Sequence, residues 1–496
     1  MKREHILVGI IFLVVLGTRL FFAYQTPYFS SDDAYYNIRQ MVHIKETFLP
    51  MFNDELSYGG KTLYLPPLFF YVLAFLSLIF KTEFVGKVFP AVFSSTIVIA
   101  GYLIADELTQ NRIAKLFTAL IAGFMPIFFS ETVNSISIYS FFIPIAFFNI
   151  YFMMKIIDNH REFLAYFIVS LLMLRMTTPM AIFLIFAFLL YLLFLHLEQI
   201  KTSRIERELI LFSTFLIVWT LFIFFKKSFL EYGFAILWQN TPLELLKNYF
   251  INTNLITIIY YIGIIPFVCG LFAIYLYVFK ERDKKTYLLA SFAVVIALLM
   301  WFRLIELNAA LILLGFVMTF LFAKTYDNIL TLVKNQKIKH FFTLIFLLLI
   351  VISSILPCLV LASNKIGNSF SKKEIEALLW LRSNTNPNDV ILSTLEEGHL
   401  ISAISIRKNF IDSNFMFVED IDQRLIDAGI IYTTTSETQR IGLMNKYPID
   451  YIYFSRRAKN DYKIDRIPFL DEECFHKVFA NEDAVVYHAM CKIKEK

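Results

Sequence analysis

Ser30-Ser31-Asp32-Asp33-Ala34-Tyr35-Tyr36-Asn37-Ile38-Arg39 follows one apolar run directly and opens the only long polar loop in the N-terminal half of the chain. Carboxylates just outside a bilayer carry a desolvation penalty, so ionisable groups at such places bind something: a metal, a cation or a proton. A helix begun near Ala34 with Asp33 as its N-cap would set Asn37 one turn beyond Asp33 on the same side. Capping uses only one Asp and leaves the clustered Tyr35, Tyr36, Asn37 and Arg39 unexplained. The reading requires the preceding run to be a membrane span, and the rest of the chain supplies that context.

The 496 residues are 58% apolar and include 55 Phe, with a mean hydropathy of +0.62. No water-soluble domain needs so much apolar side chain, so the class is integral membrane, with the lipid bilayer as a partner and no nucleic acid expected. A span needs roughly 20 residues. The candidate runs are 5–24, 86–106, 113–129, 136–157, 162–177, 178–196, 208–225, 254–279, 285–302, 306–324 and 339–362. The first reads as a retained span, because many others follow and no small-residue cleavage site stands out. Basic connectors at Lys155 to Arg161, Lys201 to Arg207, Lys280 to Lys285 and Lys324 to Lys339 belong to the cytoplasm by the positive-inside rule, as does Met1-Lys2-Arg3. The run after Pro66-Pro67, ending at Phe80, is too short at about 15 residues. Counting it breaks the charge pattern, so it reads as interfacial or re-entrant. The predicted fold is a polytopic α-helical membrane protein of about eleven to thirteen spans, eleven by the charge count, with the turn at Met176-Thr177-Thr178-Pro179 setting the range.

That topology puts four segments on one external face: the loop from residue 25, the connector Ser130-Glu131-Thr132-Val133-Asn134, the loop 226–253, and everything after about Ala362. The membrane domain is expected to cover 1–365, with an external loop over 25–85, and an extracytoplasmic α/β domain to cover 366–496. From Ser371 apolar runs shorten and charges become frequent. Lys372 to Ser383 reads as an amphipathic helix with Ile375, Leu378, Leu379 and Leu381 on or near one face. Asn384-Thr385-Asn386-Pro387-Asn388-Asp389 is a turn cluster. Val390 to Ser393 and Tyr451 to Phe454 read as strands. The tail from Cys474 to Cys491 reads as a hairpin whose turn at Glu482-Asp483 would put the two cysteines opposite each other. Outside the membrane a disulfide between them would persist; the alternative is two unrelated half-buried thiols. Cys269 and Cys358 fall in apolar spans and read as packing residues.

The first-loop stretch is similar to the signature of the oligosaccharyltransferase catalytic subunit, in which an Asp precedes an aromatic-Asn-aromatic-Arg run. Asp54, Gly60-Lys61 and Tyr64-Leu65-Pro66-Pro67 resemble the continuation of that loop. Arg303, in Trp301-Phe302-Arg303-Leu304, resembles an arginine the family uses on the lipid diphosphate. Trp238-Gln239-Asn240-Thr241-Pro242 resembles its later external loop. Ser393-Thr394-Leu395-Glu396-Glu397-Gly398-His399 falls where the family has WWDYG, and Arg407, Asp412 and Asn414 match in spacing. The broader class implied is the GT-C membrane glycosyltransferase fold. The departures are equally specific. Ile138, Tyr139 and Ser140 stand where the family carries an acidic metal-binding pair, leaving Glu131 as the connector's acidic residue. The family's external-loop Glu is Gln239, and its two tryptophans are Thr394 and Leu395.

The resemblance implies transfer from a polyprenyl-phosphate-linked glycan donor to a protein or glycan acceptor. Asp33 would be the base or acceptor-orienting carboxylate. Asp32, Asp33 and Glu131 would hold Mg²⁺ or Mn²⁺ loosely, with help from substrate phosphates. Arg303, Arg39 and Lys61 would meet the donor phosphate, and Gln239, Glu396, Glu397 and His399 the acceptor. Two alternatives remain: a transferase using a polyprenyl-monophosphate sugar on hydroxyls, lipid or surface glycan, and a non-catalytic glycolipid-binding paralogue. A transporter is disfavoured, since no inverted repeat and no acidic residue deep in a span appear in the sequence.

Overall fold

The computed structural model describes residues 2–63, 66–233, 238, 240–250, 253–468 and 470–491. The chain divides into two units, the first made of Met1–Thr26, Leu65–Lys226 and Tyr249–Gly367, the second of Pro27–Tyr64, Lys227–Asn248 and Asn368–Lys496. The second unit takes in the loops 27–64 and 227–248, which the sequence reading assigned to the membrane domain, together with Asn368–Lys496.

The first unit is a bundle of apolar helices. Among the described residues, eight helices are long and apolar enough to cross a membrane, or ten if each of two bent pairs is one span. The bent pairs are Arg112–Gly123 with Pro126–Thr132, at 42°, and Leu255–Ile262 with Ile264–Phe279, at 97°. Pro126, at the first position of its helix, breaks the first pair. Gly263 breaks the second with φ at +99°, a conformation that favours glycine, and a Cβ there would approach Ser354 Oγ to 2.8 Å. The fifth expected span, 162–177, is not among the spanning helices: it is a twelve-residue helix, Leu164–Arg175, preceded by one 3₁₀ turn, so the expected eleven spans are not reached among the described residues. The run after Pro66-Pro67 is the twelve-residue helix Leu68–Ile79. It falls short of the roughly 20 residues a span needs. Small residues let spans approach closely: a Cβ on Gly270 would come within 2.7 Å of Met318, and one on Gly123 within 2.5 Å of Val15.

The second unit is built on a five-stranded sheet. After a two-stranded hairpin of β1 (Asn53–Asp54) and β2 (Lys61–Thr62), the strands are β3 (Val390–Leu392), β4 (Lys408–Asn409), β5 (Tyr451–Ser455), β6 (Phe475–Ala480) and β7 (Ala484–Ala489). The sheet order is β4-β3-β5-β7-β6. β3 is parallel to β4 and β5, while β7 runs antiparallel between β5 and β6. β5 is buried along its whole length, which fits its continuous Tyr-Ile-Tyr-Phe run. Helix Lys372–Asn384 begins with a capping box in which Ser371 and Glu374 satisfy each other's backbone N–H groups. It buries Ile375, Leu378 and Leu381, while Leu379 faces out. Cys474 and Cys491 are joined by a disulfide that closes the β6–β7 hairpin.

The first loop belongs to this unit for a packing reason. Tyr58 sits in the same apolar core as Phe410, Ile411 and Val418. Backbone bonds add to it, with Asn409 N–H donating to Leu56 O at 2.8 Å and Tyr58 N–H to Asn409 Oδ1 at 2.9 Å. The loop's helix runs Asp32–Thr47, one to two residues earlier than expected, with Ser31 as N-cap. Asp32 and Asp33 lie in its first turn, where negative charge complements the helix dipole. It ends at Phe48, which adopts φ 61° and closes onto Ile44 O.

Candidate active site

Successive residues of a helix point about 100° apart, and Asp32 and Asp33 are consequently divided. Asp32 is buried, and both its oxygens accept backbone N–H groups: His399 N at 3.0 Å and Leu400 N at 2.7 Å. It caps the turn Gly398–Leu400 from outside that segment. Burial pushes its pKa up to about 7, against the pull of His399 and of the two N–H bonds. Asp33 is exposed, and its Oδ1 accepts the Ser413 hydroxyl at 2.9 Å.

Beneath Ser413 lies a buried polar group. Ser413 Oγ is 3.1 Å from His399 Nε2, and His399 Nδ1 is 3.7 Å from Asp412 Oδ2. The imidazole lies against the Tyr36 ring with centroids 5.1 Å apart. Asp412 is fully buried and heavily satisfied. Ser57 Oγ donates to it at 2.5 Å, Asn409 Nδ2 at 3.0 Å and Asn414 N–H at 2.9 Å, and Lys61 Nζ lies 3.5 Å away. Burial works to raise the Asp412 pKa, but His399, Lys61, Ser57 and Asn409 together overcome it and hold it at about 2. Tyr58 donates its hydroxyl to Asp412 O, and Lys61 its ammonium to Asn414 O. Gly398 is required here, since a Cβ would lie 2.1 Å from Ile411 O and 2.6 Å from Asp412 Cβ.

Several expected site residues have other work. Arg39 forms a two-pronged ion pair with buried Asp54, at 2.9 and 2.5 Å, instead of presenting its charge to a phosphate. Lys61 is also consumed internally, by Asp412 and Asn414, with a side chain only 3% exposed. Burial lowers its pKa, and Asp412 opposes that. Glu397 is fully buried in a capping box with Thr394, so it does not meet an acceptor. His399 is buried too and backs Ser413 rather than facing solvent. Glu396 is exposed and lies 3.5 Å from Arg457. Gln239 lies outside the described residues; its neighbour Asn240 donates to Phe415 O and Val418 O at 2.8 and 3.0 Å.

The first unit has its own polar end. Glu131 Oε1 accepts Asn308 Nδ2 at 3.2 Å, and Tyr139 donates its hydroxyl to Glu306. Arg303 is half-buried with φ 57°, and its guanidinium lies 5.8 Å from the Phe250 ring centroid. Two cations that sequence reasoning passed over hold the 131–134 connector. Arg19 donates to Thr132 Oγ1 at 2.6 Å, and Lys87 to Asn134 Oδ1 at 2.7 Å. The signal was present, because a lone cation inside an apolar run is rare without a purpose.

Of the three aspartates in this cluster of described residues, Asp33 alone is exposed, since Asp32 and Asp412 are buried. Hard cations want several oxygen ligands, so this donor set does not fit a tightly held metal. The one cluster of three potential ligands among the described residues is Glu437, Asp471 and Cys474, and the Cys474 sulfur is already in the disulfide.

Residues 65–225 match the family described as dolichyl-phosphate-mannose-protein mannosyltransferase. No curated protein matches the chain in sequence. Among solved structures, the apo oligosaccharyltransferase of Archaeoglobus fulgidus is similar with a TM-score of 0.67 at 13% identity, over 91% of this chain and 70% of that one. The same enzyme in complex with zinc and sulfate gives 0.60 at 14% identity, over 95% and 72%. ArnT from Cupriavidus metallidurans bound to undecaprenyl phosphate gives 0.57 at 12% identity, over 97% of each chain. At such identities the likeness is one of fold. The chain is a multi-pass membrane protein with the fold of these structures.

Proposed function

We propose that this protein is a membrane glycosyltransferase that takes its sugar from a polyprenyl-phosphate-linked donor, with Asp33 as the catalytic carboxylate and the second unit on the extracytoplasmic side. The observation that carries the reading is the division of the two aspartates. Asp33 is exposed on a segment that buried Asp32, His399 and Asp412 hold in place. Asp33 accepts the proton of the acceptor hydroxyl as that oxygen bonds to the anomeric carbon. The bond from that carbon to the phosphate oxygen breaks, and the phosphate leaves on its lipid. A cation that offsets the departing charge contributes roughly several kcal/mol in comparable sites. A Mg²⁺ or Mn²⁺ ion would rest on Asp33 and the donor's own oxygens.

A monophosphate carrier is favoured over a diphosphate. The family match is to enzymes described by a dolichyl-phosphate-mannose donor, and the chain and ArnT cover each other almost completely. Ile138, Tyr139 and Ser140, where the oligosaccharyltransferase pattern has acidic residues, point the same way. The test is Asp33→Asn in membranes supplied with polyprenyl-monophosphate and polyprenyl-diphosphate sugars in parallel. The proposal expects transfer from the first, lost in the variant. Full transfer by Asp33→Asn removes Asp33 from the mechanism. Donor binding without product in the unaltered protein would instead indicate a glycolipid-binding role.

A further inference from the structure

We infer that Ser413 is the positioning residue of the transfer reaction, fixing the Asp33 carboxylate through a hydroxyl that His399 orients. The inference rests on the reading of Asp33 as the catalytic carboxylate and goes beyond it. A serine hydroxyl has one proton. That proton is donated to Asp33 Oδ1 at 2.9 Å. The 3.1 Å contact between Ser413 Oγ and His399 Nε2 then requires the imidazole to donate, an assignment made from the hydrogen-bond network. One lone pair of Ser413 is thereby engaged, its proton is directed, and Asp33 Oδ2 is left for an acceptor.

The support behind the serine is rigid. The His399 ring is fully buried against Tyr36 and faces Asp412. Its backbone N–H is held by Asp32. The neighbouring aspartates therefore reach the same segment in two ways: Asp32 clamps the His399 backbone, and Asp33 meets the hydroxyl that the His399 side chain holds. Asp412, next to Ser413 in the chain, is fixed by four partners from two loops. An exposed carboxylate otherwise samples several rotamers; one held on this frame keeps a single orientation toward the reacting centre.

The experiment compares Ser413→Ala, Ser413→Thr, Asp33→Asn and the Ser413→Ala/Asp33→Asn double variant, as full-length protein in membranes with the polyprenyl-monophosphate sugar. Ser413→Ala should lower kcat by roughly 10-fold, the scale of a misplaced catalytic group, while donor KM stays within about twofold. Ser413→Thr keeps the hydroxyl at an exposed position and should recover most of kcat. In the Asp33→Asn background, Ser413→Ala should cause no further loss, because the two act as one unit. A wild-type kcat in Ser413→Ala beside an inactive Asp33→Asn overturns this inference and leaves the reading of Asp33 standing. Full activity of Asp33→Asn overturns both. A Ser413→Thr rate no better than Ser413→Ala, with both variants folded by thermal melting, also overturns it, since a hydroxyl effect must be rescued by a hydroxyl.

Discussion

Gly398→Ala should damage stability and catalysis together, by an amount that follows from the geometry. The added Cβ would stand 2.1 Å from Ile411 O, 2.6 Å from Asp412 Cβ and 2.8 Å from Asp412 Cα. Two of these are backbone atoms, so no side-chain rotation relieves the clash. Restoring an ordinary contact requires the 398 and 411–412 segments to part by about 1.3 Å. Asn409 Nδ2 bridges the two by donating to Gly398 O at 2.9 Å and to Asp412 Oδ2 at 3.0 Å, and it cannot hold both after such a separation. Overpacking of this kind costs about 2 kcal/mol, which corresponds to a fall of roughly 4–8 °C in the melting midpoint of a unit this size. Because Ser413 follows Asp412 directly, the shift also moves the hydroxyl away from Asp33. A displacement near 1 Å reduces turnover by up to about 100-fold. The assay is thermal melting in detergent alongside sugar transfer in membranes. A variant that melts with the unaltered protein and transfers at full rate would refute the argument that these two segments are in forced contact.

Arg39→Lys should lower the melting midpoint without changing donor KM, because the arginine's two-pronged bond serves buried Asp54. Breaking such a pair costs up to roughly 3 kcal/mol for a site this enclosed, and a large rise in donor KM would restore Arg39 to the phosphate. Glu397 is pushed up to about 7 by burial, against its bonds to Ser455 and Thr394. Its folded pKa lies above the unfolded value, so its contribution is fully present below about pH 4.5 and lost as pH rises through about 7, a change of about 3 kcal/mol. Glu397→Gln should flatten that slope in melts between pH 5 and 8, and an unchanged slope would place the titration elsewhere. Replacing Cys474 and Cys491 by serine should destabilise the hairpin by about 3 kcal/mol, as expected for a closed loop of this length. Melts with and without reductant check it, and the serine variant should not respond to reductant.

The sequence was legible wherever one local pattern sufficed. Periodicity located helix Lys372–Asn384 and the strands at Val390 and Tyr451, and the run after Pro66-Pro67 forms a helix of only twelve residues, in keeping with its short apolar stretch. Other features were readable but went unread. Thr394 followed three residues later by Glu397 is a capping-box pattern, which already argues for a buried structural glutamate rather than an acceptor ligand. What no local pattern carries is pairing across long separations. Ser413 lies 380 residues from Asp33, and Asp412 lies 355 from Ser57. Spacing alone singled out Asp412, and nothing in the sequence marked the serine beside it. Arg39 and Asp54 illustrate the same gap at short range. Their charges match, but only the turn between helix Asp32–Thr47 and strand β1 brings them together.

The division of labour between Asp32 and Asp33 follows from helix geometry and bears on the metal. Both carboxylates could ligate one ion only if they turned the same way, and adjacent residues in a first helical turn point about 100° apart. Turning Asp32 outward would release the His399 and Leu400 N–H groups, two buried hydrogen bonds of about 1 kcal/mol each. It would also let go of the backbone that carries the His399 ring. An ion drawing on this unit would therefore sit on Asp33 alone and complete its shell with oxygens brought by the donor phosphate, so that cation and substrate arrive together. On this reading the first aspartate was never spare: it holds the frame against which the second is aimed.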